Sequence, residues 1–191
     1  MEGCRLAVND LACRRGDRVL FRELSFELTA GEALQVVGPN GTGKSSLLRI
    51  LAGLLGPFAG TVQRSGAIGL VDERPALDEH LPLGRALEFW ARIDAPAPPA
   101  PDLGLDPLMD VPVRFLSTGQ RKRAALARLV GQRAPVWLLD EPLNGLDTQA
   151  ARTCEALVAE HCARGGLAVI ASHQPFALPG LRALAIADFV A

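Results

Sequence analysis

The chain has 191 residues and a formal net charge of -1. That length fits one domain with a real core. A hydrophobic fraction of 49% excludes a disordered or collagen-like chain, and the charge balance gives no whole-chain case for a nucleic-acid partner. No apolar run reaches the ~18 residues a membrane helix needs. The opening residues lack the charged-then-apolar layout of a signal peptide, so a cytosolic chain without a membrane span of its own is expected. Cys4, Cys13, Cys154 and Cys162 show no C-x-x-C spacing and read as buried free thiols.

Residues 6–13 and 19–28 suit two strands joined across the turn signal Arg15-Gly16-Asp17. After a turn at 29–32, residues 33–37 form a short apolar run of the kind found in buried parallel strands. A helix is predicted over 46–55, stopped by Gly56-Pro57, and two more strands over 61–71, broken at Ser65-Gly66. Between residues 78 and 115 the character changes. A helix is predicted over 83–92, followed by the proline-rich stretch 95–101, which reads as a stiff extended connector.

From residue 117 to 130 a helix with a basic face is predicted. A buried strand follows at 136–139, a helix at 148–164 stopped by Gly165-Gly166, and a core strand at 167–171. Strands alternating with helices predict a largely parallel sheet covered on its faces, within a single domain spanning 1–191. The run Arg121-Lys122-Arg123 reads as a solvated helix face rather than a nucleic-acid patch. His80 and His161 stand outside any motif and are expected at the surface.

Three segments carry chemistry. Gly38-Pro39-Asn40-Gly41-Thr42-Gly43-Lys44-Ser45 matches G-x-x-x-x-G-K-S between a predicted strand and a predicted helix. Glycines let backbone N–H groups turn around phosphate oxygens, and the helix N-terminus adds a favourable dipole. Lys44 supplies a point charge for phosphates, Ser45 a hydroxyl for Mg²⁺, and Ser46 completes the binding segment. Lys44 is one of two lysines among 20 basic residues, so chance would have placed an arginine there. The strand ending in Asp140-Glu141 supplies a carboxylate for Mg²⁺, held through water, and a second carboxylate to polarise an attacking water. The third segment is Leu116-Ser117-Thr118-Gly119-Gln120, directly before a helix and 20 residues ahead of Asp140.

This third segment resembles the LSGGQ signature of ABC ATPases, with Thr118 at its third position. Asn144-Gly145-Leu146-Asp147 is similar to that family's D-loop, and His173 stands at the place of its switch histidine. The resemblance runs from residue 6 past His173. It implies an α/β fold, a P-loop NTPase of the ABC ATPase type: a mixed sheet core with an antiparallel β edge. A small helical subdomain, 78–115, would be inserted in the RecA-like core. It also implies ATP and Mg²⁺ as cofactors, with Glu141 and His173 as catalytic groups. Ser117, Thr118, Gly119 and Gln120 would meet ATP held by the other subunit's Gly38–Ser45 loop.

Two positions depart from the pattern. Cys13-Arg14-Arg15 stands where the family carries an aromatic that stacks on adenine, and the chain has no tyrosine. Asp72-Glu73-Arg74-Pro75 stands where its Q-loop glutamine belongs, which affects metal and water coordination. Further wording is similar to the ATP-binding subunits of cytochrome c biogenesis haem exporters: Leu20-Phe21-Arg22-Glu23-Leu24-Ser25-Phe26, then Arg49-Ile50-Leu51-Ala52-Gly53-Leu54 and Ser172-His173-Gln174-Pro175. That resemblance implies a homodimer of ATPase subunits on two copies of an integral membrane subunit. It would sit peripherally at the cytoplasmic side of a bacterial inner membrane, hydrolysing ATP for haem delivery to apocytochromes. The alternatives are the ATPase subunit of another ABC importer or exporter, and a nucleotide-dependent regulator outside transport. Glu141 and His173 speak against a pure binding module, which needs neither.

Base stacking is worth only ~1–3 kcal/mol even where an aromatic is present. Without one, GTP is expected to bind or react within about tenfold of ATP, a gap of ~1.4 kcal/mol. Parallel titrations of the two nucleotides check this; a preference beyond about a hundredfold would assign base reading to another group, with Arg14 the first to test.

Overall fold

The structure is a computed structural model that describes residues 3–94 and 102–190. Strands β1 (Arg5–Arg15) and β2 (Arg18–Thr29) form an antiparallel hairpin, and β4 (Ala59–Ser65) pairs with the other edge of β1. Five further strands make a second, wholly parallel sheet in the order β5-β6-β7-β3-β8. Its members are β3 (Ala33–Val37), β5 (Ile68–Val71), β6 (Val136–Asp140), β7 (Leu167–Ala171) and β8 (Arg182–Ala185). The antiparallel strands thus form a sheet of their own beside the parallel core.

Every residue of β6 and β7 is buried, as expected of parallel strands covered on both faces. Their alternation divides the interior in two. Val136, Leu138 and Val169 face helix α1 (Lys44–Leu51) and the inner side of the antiparallel sheet, where Leu6, Phe21 and Leu24 are fully buried. Trp137, Leu139 and Ile170 face the other way, into a core shared with helices α3 (Thr118–Gln132) and α4 (Thr148–Ala163). Between β5 and α3 lie helix α2 (Leu83–Ile93), which packs on α3, and two short 3-10 turns, Asp106–Leu108 and Val113–Phe115. The connector predicted at 95–101 lies outside the described residues.

Helix starts follow the local chemistry. Ser117 and Gln120 form a reciprocal capping box: the Gln120 N–H donates to Ser117 Oγ at 3.2 Å, and the Ser117 N–H to Gln120 Oε1 at 2.8 Å. Asp147 caps α4 by accepting from the Ala150 N–H at 2.8 Å. The four cysteines are free and buried. Among the described residues, no helix is long and apolar enough to cross a membrane.

Two sequence expectations are corrected. The basic run on α3 is not a solvated face, because neighbouring loops cover it and offer it carbonyl oxygens. Lys122 is 8% exposed and its Nζ donates to the Asp140 carbonyl at 3.1 Å. Arg123 donates to the Leu103 carbonyl at 2.8 Å, Arg121 to the Arg114 carbonyl at 2.8 Å, and Arg128 lies 3.7 Å over the Trp90 ring. His161 is not a surface residue either. Its ring stacks on Trp137 at 3.9 Å, and its Nε2 lies 3.2 Å from both the Pro135 and the Leu167 carbonyl oxygens. A histidine on the inner side of an amphipathic helix finds acceptors in the strand ends it covers. His80, by contrast, is exposed.

Burial pushes the His161 imidazole below its ordinary value of 6.5, against the pull of its two carbonyl partners. The unfolded chain therefore takes up a proton that the folded chain refuses. Stability is complete above pH ~6.5 and falls as pH drops from there towards the lower folded value. The unfolding midpoint should decrease between about pH 7.5 and about pH 5.5, and His161→Phe, which keeps the stack, should flatten that part of the profile. Thermal unfolding of both proteins across this range checks it.

Candidate functional site

Parallel strands place their carboxyl ends along one edge, and loops from three adjacent strands meet there. From β3 the chain enters the loop Gly38–Gly43 and then α1; β6 ends in Asp140 and Glu141; β7 ends at Ser172-His173. The loop passes close under the hairpin. Gly43 has φ 106°, and a Cβ there would lie 3.1 Å from the Phe21 ring and 3.2 Å from Leu20 Cβ, so only glycine fits without displacing the core. The Thr42 hydroxyl donates to the Pro39 carbonyl at 2.8 Å and steadies the turn.

A cleft of about 420 Å³ opens in front of this loop. Asn40, Gly41, Gly43, Lys44, Ser45 and Ser46 line one side, Leu20 another, and Glu73, Glu141 and Asn144 the far wall. Lys44 is 6% exposed; its Nζ donates to the Gly38 carbonyl at 2.7 Å and the Pro39 carbonyl at 3.2 Å. It also lies 3.7 Å from Glu141 Oε1. Gly38 and Pro39 thus enter through their carbonyls rather than as cleft wall.

Glu141 takes the left-handed backbone conformation, φ 45°, and its N–H donates to the Ala171 carbonyl at 2.8 Å. Such a conformation in a non-glycine residue costs free energy and often marks a functional position. His173 Nδ1 lies 2.9 Å from Glu141 Oε2, a hydrogen bond in the tautomer that carries its proton on Nδ1. The histidine is held on a clamped turn. Buried Gln35 of β3 donates to the Gln174 carbonyl at 2.7 Å, while Ser172 Oγ donates to the same oxygen at 3.1 Å.

Asp140 is 4% exposed and its Oδ1 has no hydrogen-bond partner. Burial pushes its carboxyl above the usual carboxylate range; the Ser45 hydroxyl and the Lys122 ammonium pull it down, and Glu141 and Glu73 push it further up. An orphaned buried carboxylate oxygen beside a hydroxyl suits a hard divalent cation. Among the described residues no group of three or more His, Cys, Asp or Glu could hold a metal alone. Mg²⁺ sites in general take one or two carboxylates plus substrate phosphates and waters.

The structure therefore gathers Gly38–Ser46, Asp140, Glu141 and His173 at one edge. It does not bring Ser117, Thr118, Gly119 and Gln120 into this cleft. Thr118 lines an adjoining cavity of about 300 Å³ with Glu73, Lys122, Glu141 and Asn144, while the side chains of Ser117 and Gln120 serve the capping box. Gly119 packs on Gly145, whose carbonyl oxygen a Cβ at Gly119 would overlap. Sequence reasoning missed Leu20 as cleft wall and Gln35 as a clamp. A lone glutamine inside an apolar strand was the available signal for the second. Cys13 is 1% exposed and offers no platform for a base, whereas exposed Arg14 lies 4.7 Å over the ring of exposed Phe58.

The family model described as ABC transporter matches residues 21–144. The cytochrome c biogenesis ATP-binding export protein of Novosphingobium aromaticivorans is 62% identical over 99% of both chains. This chain belongs to that ABC transporter family. The protein of the same name from Sphingopyxis alaskensis is 54% identical, over 92% of this chain and 93% of its own. Among solved structures, a dimeric ATP-binding cassette in a post-hydrolysis state, bound to ADP and Pi, aligns over 88% of both chains. Its TM-score is 0.75 at 20% identity, a likeness of fold. The family match spans the phosphate loop and the Asp140-Glu141 strand end, the two halves of the cleft.

Asp140 carries a cost that the fold does not need. Asp140→Asn keeps the shape and removes a buried charge, so the unfolding midpoint should rise by roughly 2–4 °C, about 1 kcal/mol at this chain length. Mn²⁺ affinity should fall at the same time. Thermal unfolding and a metal titration read the two effects separately; a lowered midpoint would mean that Asp140 is structural.

Proposed function

We propose that this chain is the ATP-hydrolysing subunit of an export complex serving cytochrome c biogenesis, with haem delivery to apocytochromes as the process it drives. The observation that carries the catalytic part is the contact of Glu141 with both Lys44 and His173, beside the phosphate loop. The biological part is supported by full-length relatives of that name. An ATPase subunit of a different exporter has no comparable support, and a regulator outside transport leaves Glu141 and His173 without a task.

In this reading the loop N–H groups and the α1 N-terminus take the phosphates. Lys44 turns from the Gly38 and Pro39 carbonyls to the β- and γ-phosphates. Ser45 and Asp140, the latter through water, would hold Mg²⁺, which when bound would supply positive charge against the phosphates. Glu141 polarises the attacking water, and His173 orients that carboxylate and reaches the γ-phosphate. The single domain spans 1–191, with 78–115 as a small helical insertion.

Two subunits face each other, so that the Ser117–Gln120 end of α3 from one closes over ATP held by the other. The separation of that segment from its own cleft supports this arrangement, as does its capped helix N-terminus, whose dipole favours phosphate. The homodimer would sit on two copies of an integral membrane subunit, peripherally at the cytoplasmic side of a bacterial inner membrane.

Glu141→Gln keeps shape and most hydrogen bonding but loses the carboxylate that polarises water, at a cost of ~10²–10⁴-fold in rate. Nucleotide-driven closure survives. The variant should accumulate as a dimer with ATP and Mg²⁺, disperse with ADP, and fail to associate when Ser117→Arg is added. Light scattering, alone and with the membrane subunit, follows all three. A Glu141→Gln protein that stays monomeric throughout, or hydrolyses ATP like the parent, would overturn the shared-site mechanism.

A further inference from the structure

The amino ends of β6 and β7 form the opposite edge of the parallel sheet from Asp140 and Ser172. There a cavity of about 550 Å³ opens beside the ends of α3 and α4. Val130, Ala134, Pro135, Trp137 and Leu157 give it apolar walls, and Arg133, Glu160 and Arg164 bring its charges. Mostly apolar walls with a few polar groups, in a volume of this order, are what small-molecule sites have.

Trp137 is 4% exposed, and its indole N–H has no acceptor. The Pro135 and Leu167 carbonyl oxygens beside it both lie 3.2 Å from His161 Nε2. The imidazole in turn stacks on the indole at 3.9 Å, and a Cβ at Gly166 would overlap it, so the ring pair is closely confined. A buried donor without a partner bears its full desolvation cost, and a molecule seated against the indole can supply the acceptor.

Charge decides what kind of molecule that is. Arg164 is paired with Glu160, and burial keeps the Cys4 thiol and the His161 imidazole neutral at about pH 7. Among the described residues, Arg133 has no ion-pair partner. Against it stand the carboxyl ends of α3 and α4, whose dipoles together amount to about one negative charge. The cavity is therefore close to neutral, and neither an anion nor a cation gains by entering it.

We propose that this cavity binds a small neutral aromatic molecule with a hydrogen-bond acceptor: the apolar walls take the ring, and the acceptor takes the Trp137 N–H. The cavity shares no lining residue with the phosphate cleft, so the inference stands apart from the nucleotide reading.

The test uses the full chain carrying Trp90→Phe, which leaves Trp137 as the one tryptophan. Its emission then reports a probe seated beside it. Propionyl-dimethylaminonaphthalene, neutral with a carbonyl acceptor, should quench that emission saturably, and ATP with Mg²⁺ should leave its affinity within about threefold. Anilinonaphthalenesulfonate, aromatic but anionic, should bind at least about tenfold more weakly, a gap of ~1.4 kcal/mol. Followed by probe fluorescence, Trp137→Phe should weaken the carbonyl probe about tenfold but phenylnaphthylamine, which has no carbonyl, by less than about threefold. Leu157→Arg, which sets a charge in the wall, should weaken both neutral probes at least about tenfold. A loss confined to the carbonyl probe cannot come from unfolding, so Trp137→Phe decides even where Leu157→Arg fails to fold. Absence of saturable quenching, displacement by ATP with Mg²⁺, equal changes of the two neutral probes in Trp137→Phe, or anilinonaphthalenesulfonate binding as tightly as the carbonyl probe each overturns the proposal.

Discussion

Strand β6 is buried at all five positions, and its two faces feed two different cores. Val136 and Leu138 lock α1 and the hairpin against the sheet; Trp137 and Leu139 lock α3 and α4. Because side chains alternate with period two, a slip of one residue would exchange the two sets and misplace everything after Leu139. Asp140 and Glu141 lie at the end of this doubly fixed strand, and a buried carboxylate can be kept in place against its own desolvation only by such a frame. The left-handed backbone at Glu141 is held the same way, through the Ala171 carbonyl of the neighbouring strand. The site thus draws its order from register rather than from contacts within the site.

Much of this was legible because each piece has a local cause. The strand-loop-helix about Lys44 and the apolar run before Asp140 each carry a spacing that a sequence displays. What stayed hidden depends on distant partners. Lys122 and Arg123 look like solvent charges until the carbonyls of Asp140 and Leu103 are brought over them. His161 looks like a surface histidine until β6 sets Trp137 beneath its ring. Strand β8 went unpredicted because four half-exposed residues at a sheet edge show no clear alternation. The role of Gln35 needed the Gln174 carbonyl, 139 residues away in the chain.

The two lysines are buried to a similar degree and differ in the cavity each lines. In the proposed mechanism Lys44 would exchange backbone carbonyls for phosphates, since carbonyl partners are weak competitors for a charged donor beside an anion. Lys122 lines the adjoining cavity and not the phosphate cleft. Burial lowers its pKa, and the nearby Asp140 charge offsets part of that. Its Nζ stays against the Asp140 carbonyl at 3.1 Å, close to the buried carboxylate of the same residue, whose Oδ1 has no hydrogen-bond partner. A cation so placed offsets part of the repulsion that Glu141 and Glu73 exert on Asp140.

The same bond gives α3 a second meaning. Its first turn carries Ser117–Gln120, Gly119 packs on Gly145 with no room for a side chain, and Lys122 one turn later is anchored on Asp140. The α3 start, the 144–147 segment and the end of β6 therefore move as one body, since packed interiors yield little before they break contacts. In the proposed dimer that body touches two nucleotides at once. Its Ser117 end faces the ATP of the other subunit, while its Asp140-Glu141 end faces its own. Coupling of the two sites in that dimer then requires no long pathway, only the rigidity of one helix packed on Gly145 and anchored on Asp140.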